Sequence, residues 1–175
     1  MFKGPLPLLV NHRKLVSDKA RLEGTIPFDS LGRFTDLLLD KDGDVQARLE
    51  FRKGKRQKTL VVGNLQAAVS VTCQKCLEPM TLALETNFRT LILKTDEELD
   101  ALEQEDDGFV CPDEMLPLTD LIEDELIVGM PMVTRHEACE IDAALAPEPE
   151  EIRGKGDTYK PFAALADMKD KLTRS

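Results

Sequence analysis

The sequence predicts an α+β domain: an antiparallel β meander or partial barrel with flanking helices and a flexible C-terminal tail. Three observations lead there. Apolar and polar residues alternate through consecutive segments between Val45 and Ile92, the period of strands that bury one face. The connections between these segments are short and rich in turn residues, so neighbours are expected to pair antiparallel. Beyond Lys94 the apolar spacing becomes helical, and strands followed by helices is an α+β order.

Element by element, residues 5–28 contain Pro5, Pro7 and Pro27 and read as irregular. Ser30 is a suitable N-cap for a short helix whose stripe is Leu31, Phe34, Leu37 and Leu38. That helix runs out at Asp40-Lys-Asp42-Gly43-Asp44. The acidic turn lacks the glycine position and distal glutamate of a calcium loop, so it reads as a turn into a strand. Val45, Ala47, Leu49 and Phe51 then alternate with polar partners as one strand. Gly54 marks a basic turn, Thr59–Val62 reads as a strand ending at Gly63-Asn64, and Leu65, Ala67, Val69, Val71 and Cys73 form a further row. Leu82, Leu84, Thr86, Phe88, Thr90 and Ile92 follow after the Cys76 loop. Thr95 with Glu98 makes a capping box for an acidic helix carrying Leu99 and Leu102. A polar loop covers 104–108, and Phe109–Pro112 is extended. Leu118, Leu121, Ile122, Leu126 and Ile127 mark a second helix, stopped by Gly129 and Pro131.

The chain of 175 residues is expected to form a single domain over 1–142. Pro147, Pro149, Gly154 and Gly156 make 143–160 a flexible linker, and 161–175 is a short amphipathic segment that needs something to dock on. Trp is absent and Tyr159 is the one tyrosine, so the core must be largely Leu and Val. Four cysteines in a chain of this length do not make a disulfide scaffold. No apolar run is long enough for a signal peptide or a membrane span. A cytoplasmic location with reduced thiols is expected.

Net charge is −10, and its distribution is polarised. Residues 1–94 carry 16 basic and 10 acidic residues, 95–151 carry 1 and 20, and 152–175 carry 6 and 3. The densest basic stretch is 46–60, where Arg48, Arg52, Lys53, Lys55, Arg56 and Lys58 stand against the single acid Glu50. A hairpin edge with that charge suits RNA phosphates, while the acidic stretch suits a basic protein partner. In the second helix Asp120, Glu123 and Asp124 share a face and are expected to point outward. With Phe162 and Leu165 of the tail as apolar anchors, they are candidates for partner binding.

Two short motifs carry the most specific chemistry: Cys73-Gln-Lys-Cys76 and His136-Glu-Ala-Cys139. Each brackets two residues, a spacing that turns both side chains toward one tetrahedral ion. Three thiolates and an imidazole suit one structural Zn²⁺ in a closed site. The alternative is a reduced hairpin CxxC with an unrelated His and Cys. Cys111, beside Pro112, is left to packing. The remaining inventory names no catalyst. His12 and His136 are the only histidines, the glycines form no phosphate loop, and Glu137 fits no catalytic zinc motif. The chain reads as a non-enzyme without catalytic residues.

These residues together resemble a family, the YceD-like large ribosomal RNA subunit accumulation proteins. The resemblance spans nearly the whole chain. It rests on Val71-Thr-Cys73-Gln-Lys-Cys76-Leu, on the run from Leu118 through Glu123, Glu125 and Pro131, on His136 with Cys139, and on Lys160-Pro161-Phe162-Ala-Ala-Leu165. Lys75 stands where many relatives have Arg, and His136 pairs with Cys139 where some relatives carry a second pair of cysteines. The resemblance implies a ribosome biogenesis factor supporting synthesis, processing or stability of large-subunit (23S) ribosomal RNA, hence a bacterial cytoplasmic partner of that RNA or of a pre-ribosomal particle. Two other classes stay open: an acidic chaperone-like module for a basic ribosomal protein, and a metal-dependent RNA-processing enzyme.

Overall fold

The computed structural model describes residues 2–139. Its centre is a six-stranded sheet flanked by short helices, and the sheet is open, with a free strand at each edge. The chain runs β1 (Phe2–Pro5), β2 (Leu9–Asn11), α1 (His12–Ser17), β3 (Arg21–Pro27), α2 (Gly32–Thr35), β4 (Asp44–Lys53), β5 (Thr59–Thr72) and β6 (Pro79–Leu93). It continues through α3 (Asp96–Asp100), β7 (Asp107–Val110), β8 (Met115–Pro117) and α4 (Leu118–Gly129). Strand order in the large sheet is β1-β3-β4-β5-β6-β7, and β2 with β8 makes a separate two-stranded ribbon.

The middle of the sheet is the expected antiparallel meander. Its register is set by hydrophobic matching: Ile26 lies opposite Val45, Ala47 opposite Leu65, Phe51 opposite Val61 and Ala67 opposite Leu84. All of these face one side and are buried with Phe28, Leu31, Phe34, Leu116, Leu121, Ile122 and Leu126. The other face is polar along most of its length, as expected of a sheet solvated on one side, but at its β7 end it buries Leu91 and Leu93.

Both edges depart from the meander. β1 pairs parallel with β3, and β7 pairs parallel with β6. A parallel neighbour needs a long crossover, and the stretch between Leu93 and Asp107, with α3 in it, provides one. Residues 5–28 are not irregular. They form β2, α1 and β3, with the prolines at strand ends or between elements. Gly24 of β3 is a glycine because β1 runs against it: a Cβ there would lie 1.9 Å from the Gly4 carbonyl oxygen.

Three further expectations are corrected. Gly63-Asn64 does not end a strand, since β5 continues for 14 residues. Gly63 makes room for a ring: a Cβ would sit 2.2 Å from Phe88 Cε1. Ser30 does not cap α2; it closes a 3₁₀ turn over Phe28–Ser30, and Leu31 occupies the N-cap without a side-chain bond. Leu37 is exposed rather than on the buried stripe. The acidic turn is as expected, with Asp42 N–H donating to Asp40 Oδ1 at 3.0 Å. The capping box of α3 is modified. Thr95 Oγ1 accepts from Glu98 N–H, but Glu98 Oε2 reaches back one residue further, to Lys94 N–H at 2.8 Å.

α4 holds the largest correction. Glu123 is 6% exposed and turned inward. Its Oε1 accepts from the backbone N–H of Phe34 at 3.1 Å, and its Oε2 from Arg33 Nε at 2.7 Å. The first N–H groups of any helix lack intrahelical partners, and Leu31 has no side chain to offer α2. Glu123 therefore caps α2 from another helix. Asp124 reaches the same arginine at 2.7 Å, which leaves Asp120 as the fully exposed acid of the three.

Candidate metal centre and the basic turn

The register of β5 against β6 ends with Thr72 opposite Pro79, which leaves Cys73–Glu78 as the hairpin tip. Cys73 N–H donates to the Glu78 carbonyl and Leu77 N–H to that of Cys73, both at 2.9 Å, with Leu77 at φ 63°. This left-handed residue folds the tip back and brings the two thiols of the CxxC onto one side. The second half of the set arrives from α4. Gly129 and Pro131 end that helix, and the chain from 130 to 139 crosses the tip. Gln74 N–H donates to the Thr134 carbonyl at 2.8 Å, and Thr134 Oγ1 to that of Thr72 at 2.7 Å. Lys75 Nζ donates to the Cys139 carbonyl.

The result gathers Cys73, Cys76, His136 and Cys139, with all four ligand atoms within 4.8 Å of one another. Cys73 Sγ and Cys139 Sγ are 3.7 Å apart, and Cys76 Sγ lies 3.5 Å from His136 Nδ1. A tetrahedron with zinc–sulfur bonds of about 2.3 Å has an edge of about 3.8 Å. The two measured edges match that size. The backbone N–H of Cys76, followed by those of Lys75 and His136, points at Cys73 and pulls its pKa down to about 5. Cys139 is driven the other way, to about 11, by burial and then by the sulfurs of Cys76 and Cys73. Three sulfurs this close repel one another as thiolates, and a divalent cation between them removes that repulsion. The donor set and its dimensions fit Zn²⁺.

Cys111 stands apart, with Sγ donating to the carbonyls of Asp113 (3.4 Å) and Met115 (3.6 Å). Burial pushes its thiol pKa up.

The basic candidates are spread along β4 and the turn to β5. Arg48 pairs with Glu23 at 3.3 Å and Arg52 with Glu50 at 2.7 Å. Lys55 is held by Glu103 and Asp106 at 2.9 and 2.8 Å, and Lys58 by Glu98. The expected separation of acidic and basic regions is thus partly closed in the fold: the acidic segment around α3 lies on the basic turn. Lys53 and Arg56 make no ion pair among the described residues. Phe162 and Leu165, with the linker and the tail segment, lie outside the described residues.

Sequence reasoning gave His12 no role. It is buried, with the Thr59 hydroxyl donating to Nδ1 at 2.8 Å and Nε2–H directed at the Asp113 carbonyl at 3.4 Å. Burial lowers its pKa, so the neutral ring ties α1 to β5.

Comparisons with known proteins place the chain in a family. The family model "Large ribosomal RNA subunit accumulation protein YceD" matches residues 61–169, which take in the hairpin tip, α4 and the limb that supplies His136 and Cys139. A Haemophilus influenzae protein of the same name is 29% identical over 181 residues, covering 98% of this chain and 100% of its own length. No solved structure matches. The chain belongs to the YceD family of large ribosomal RNA subunit accumulation proteins.

Proposed function

We propose that this protein supports accumulation of large-subunit (23S) ribosomal RNA as a binding factor rather than a catalyst, with one structural Zn²⁺ closing the β5–β6 tip. The family match carries the role; the size of the Cys73, Cys76, His136, Cys139 set supports the metal. Zinc here would hold the tip and the 130–139 limb together, with no open coordination position for chemistry. No described helix is long and apolar enough to cross a membrane. The basic-protein reading loses support because Glu98, Glu103, Asp106, Glu123 and Asp124 are engaged within the fold.

Two measurements test this. Protein purified without chelator should contain about one zinc per chain, and stripping it should lower the melting temperature. Metal-free protein whose melt ignores both zinc and chelator refutes the metal. Tagged protein should copurify with large-subunit RNA, and the association should disappear on ribonuclease treatment. Association that persists after ribonuclease points to a protein partner instead.

A further inference from the structure

At the root of the β5–β6 hairpin, at the end opposite the Cys73–Cys76 tip, a cleft of about 840 Å³ opens between α1, the β4–β5 turn and the segment around Cys111. Its wall includes Val16, Ile92 and Pro112, and its back is fixed by the His12–Thr59 bond. Arg13, Arg52 and Lys58 reach it, but each already has a carboxylate partner. Lys19, Lys53, Arg56 and Lys94 also line it, and none of these makes an ion pair among the described residues. The acids in the lining are Glu50 and Asp113. This is the reverse of the neighbouring turn surface, where Lys55 is neutralised by two acids. Uncompensated charge in a concave, partly apolar site focuses potential and attracts anions.

A second observation falls in the same place. Among the described residues, the non-glycine positions with left-handed backbone are Lys19, Arg56, Gln57 and Leu77. Leu77 belongs to the cysteine tip, and the other three line the cleft. Strained backbone gathers where a side chain must be aimed for function, and here it presents Lys19 and Arg56 at the cleft.

We propose that this cleft holds the phosphates of single-stranded RNA, with Lys19, Lys53, Arg56 and Lys94 as the phosphate contacts. The proposal rests on the RNA reading above and adds where, and in what form, RNA is bound. The volume is that of a pocket for a drug-sized ligand, which matches one or two nucleotides and excludes a duplex. A duplex is recognised across its wide minor groove, on a surface rather than in a recess. Phe51 and His12 are the aromatic side chains in the lining and are 1% and 6% exposed, so neither offers an open face for stacking. Binding should therefore be electrostatic and tolerant of sequence.

The test uses the full chain, a fluorescent 12-mer of uridine, a blunt RNA duplex, uridine monophosphate and polyglutamate. The wild type should bind the 12-mer with a log–log salt slope of about −2 to −3, from about 0.7 per contact. Lys19→Gln, Lys53→Gln, Arg56→Gln and Lys94→Gln combined should weaken binding at least about tenfold and flatten the slope. Lys41→Gln with Arg89→Gln should change little. If the fourfold variant fails to fold, Lys19→Gln with Lys94→Gln replaces it, and ultraviolet cross-links on wild type must map to cleft residues. Undiminished binding by the folded variant overturns the cleft and leaves the RNA reading standing; no binding by wild type overturns both. Equal affinity for duplex overturns the single-strand form. Displacement by micromolar uridine monophosphate assigns the site to a free nucleotide, and displacement by polyglutamate at equal charge assigns it to an acidic partner; either overturns the proposal.

Discussion

Replacing Glu123 by alanine should destabilise the domain by about 2–4 kcal/mol, and the reason can be apportioned from the geometry. Phe34 is 0% exposed and its N–H has the Glu123 carboxylate as its partner at 3.1 Å. Removing that acceptor leaves a buried donor unsatisfied, which costs about 1–3 kcal/mol. Loss of the buried Glu123 methylenes adds about 1 kcal/mol. The ion pair with Arg33 adds little, because that arginine is 57% exposed and screened by water. Glu123→Gln keeps an amide oxygen for Phe34 and should cost only about 1 kcal/mol. Arg33→Ala should cost at most about 1 kcal/mol. Urea melts of the three variants and of the Glu123→Ala, Arg33→Ala double variant decide the matter. For a domain of this size Glu123→Ala should lower the melting temperature by about 6–12 °C. A loss below about 1 kcal/mol would refute the interhelix cap. So would a coupling energy to Arg33 that accounts for most of the loss, since the ion pair would then be the source.

Two more stability predictions follow from the sheet. Gly63→Ala should cost about 1–3 kcal/mol by forcing the Phe88 ring out of place; Phe88→Leu in the same chain should recover part of it, and a neutral Gly63→Ala in a thermal melt would contradict the packing argument. Glu125, bonded to Thr90 Oγ1, has its pKa raised by burial first and by Asp107 and Asp124. A carboxyl with a raised folded pKa contributes stability below its unfolded value of about 4.3 and loses that contribution as pH rises through the folded value. Glu125→Gln should therefore raise the melting temperature relative to wild type at pH near 8, with the gain fading as the pH falls toward about 4; a gain that does not change with pH would assign it to packing.

What could be read from the sequence was whatever is written locally. β4 was legible because Val45, Ala47, Leu49 and Phe51 alternate without interruption, and α4 because Leu118, Leu121, Ile122 and Leu126 share a stripe. The gathering of Cys73, Cys76, His136 and Cys139 was legible because two equal spacings point to one tetrahedron. The misreadings are contacts between distant segments. Gly63 looks like a turn until Phe88 is placed opposite it, and Pro5, Pro7 and Pro27 look like an irregular segment until they fall at strand ends and between elements. Glu123 looks like a solvated acid until α2 is found to begin without a cap of its own. The basic stretch 46–60 reads as one surface, yet Glu98, Glu103 and Asp106, remote in sequence, neutralise Lys55 and Lys58, while Lys53 and Arg56, without an ion pair among the described residues, line the cleft. No local pattern announces a parallel edge strand, because its register depends on where a crossover returns the chain.

The β5–β6 hairpin joins the two sites and also keeps them apart. Its tip carries Cys73 and Cys76, while Thr59 and Ile92, paired at its other end, belong to the cleft. Fourteen residues of extended chain span roughly 45 Å, and the strands between are bonded on both sides, β5 to β4 and β6 to β7 near its end. Losing metal should thus loosen the tip and the 130–139 limb without reaching Thr59. Apart from the Cys73–Cys139 and Cys76–His136 contacts, the limb is tied to the tip among the bonds described by Thr134, Gln74 and Lys75, so its position depends on the cysteine and histidine cluster far more than the sheet does. A metal at the tip would therefore act on the 130–139 limb alone, a structural task suited to a binding factor, while the cleft is set by the sheet and by the His12–Thr59 bond.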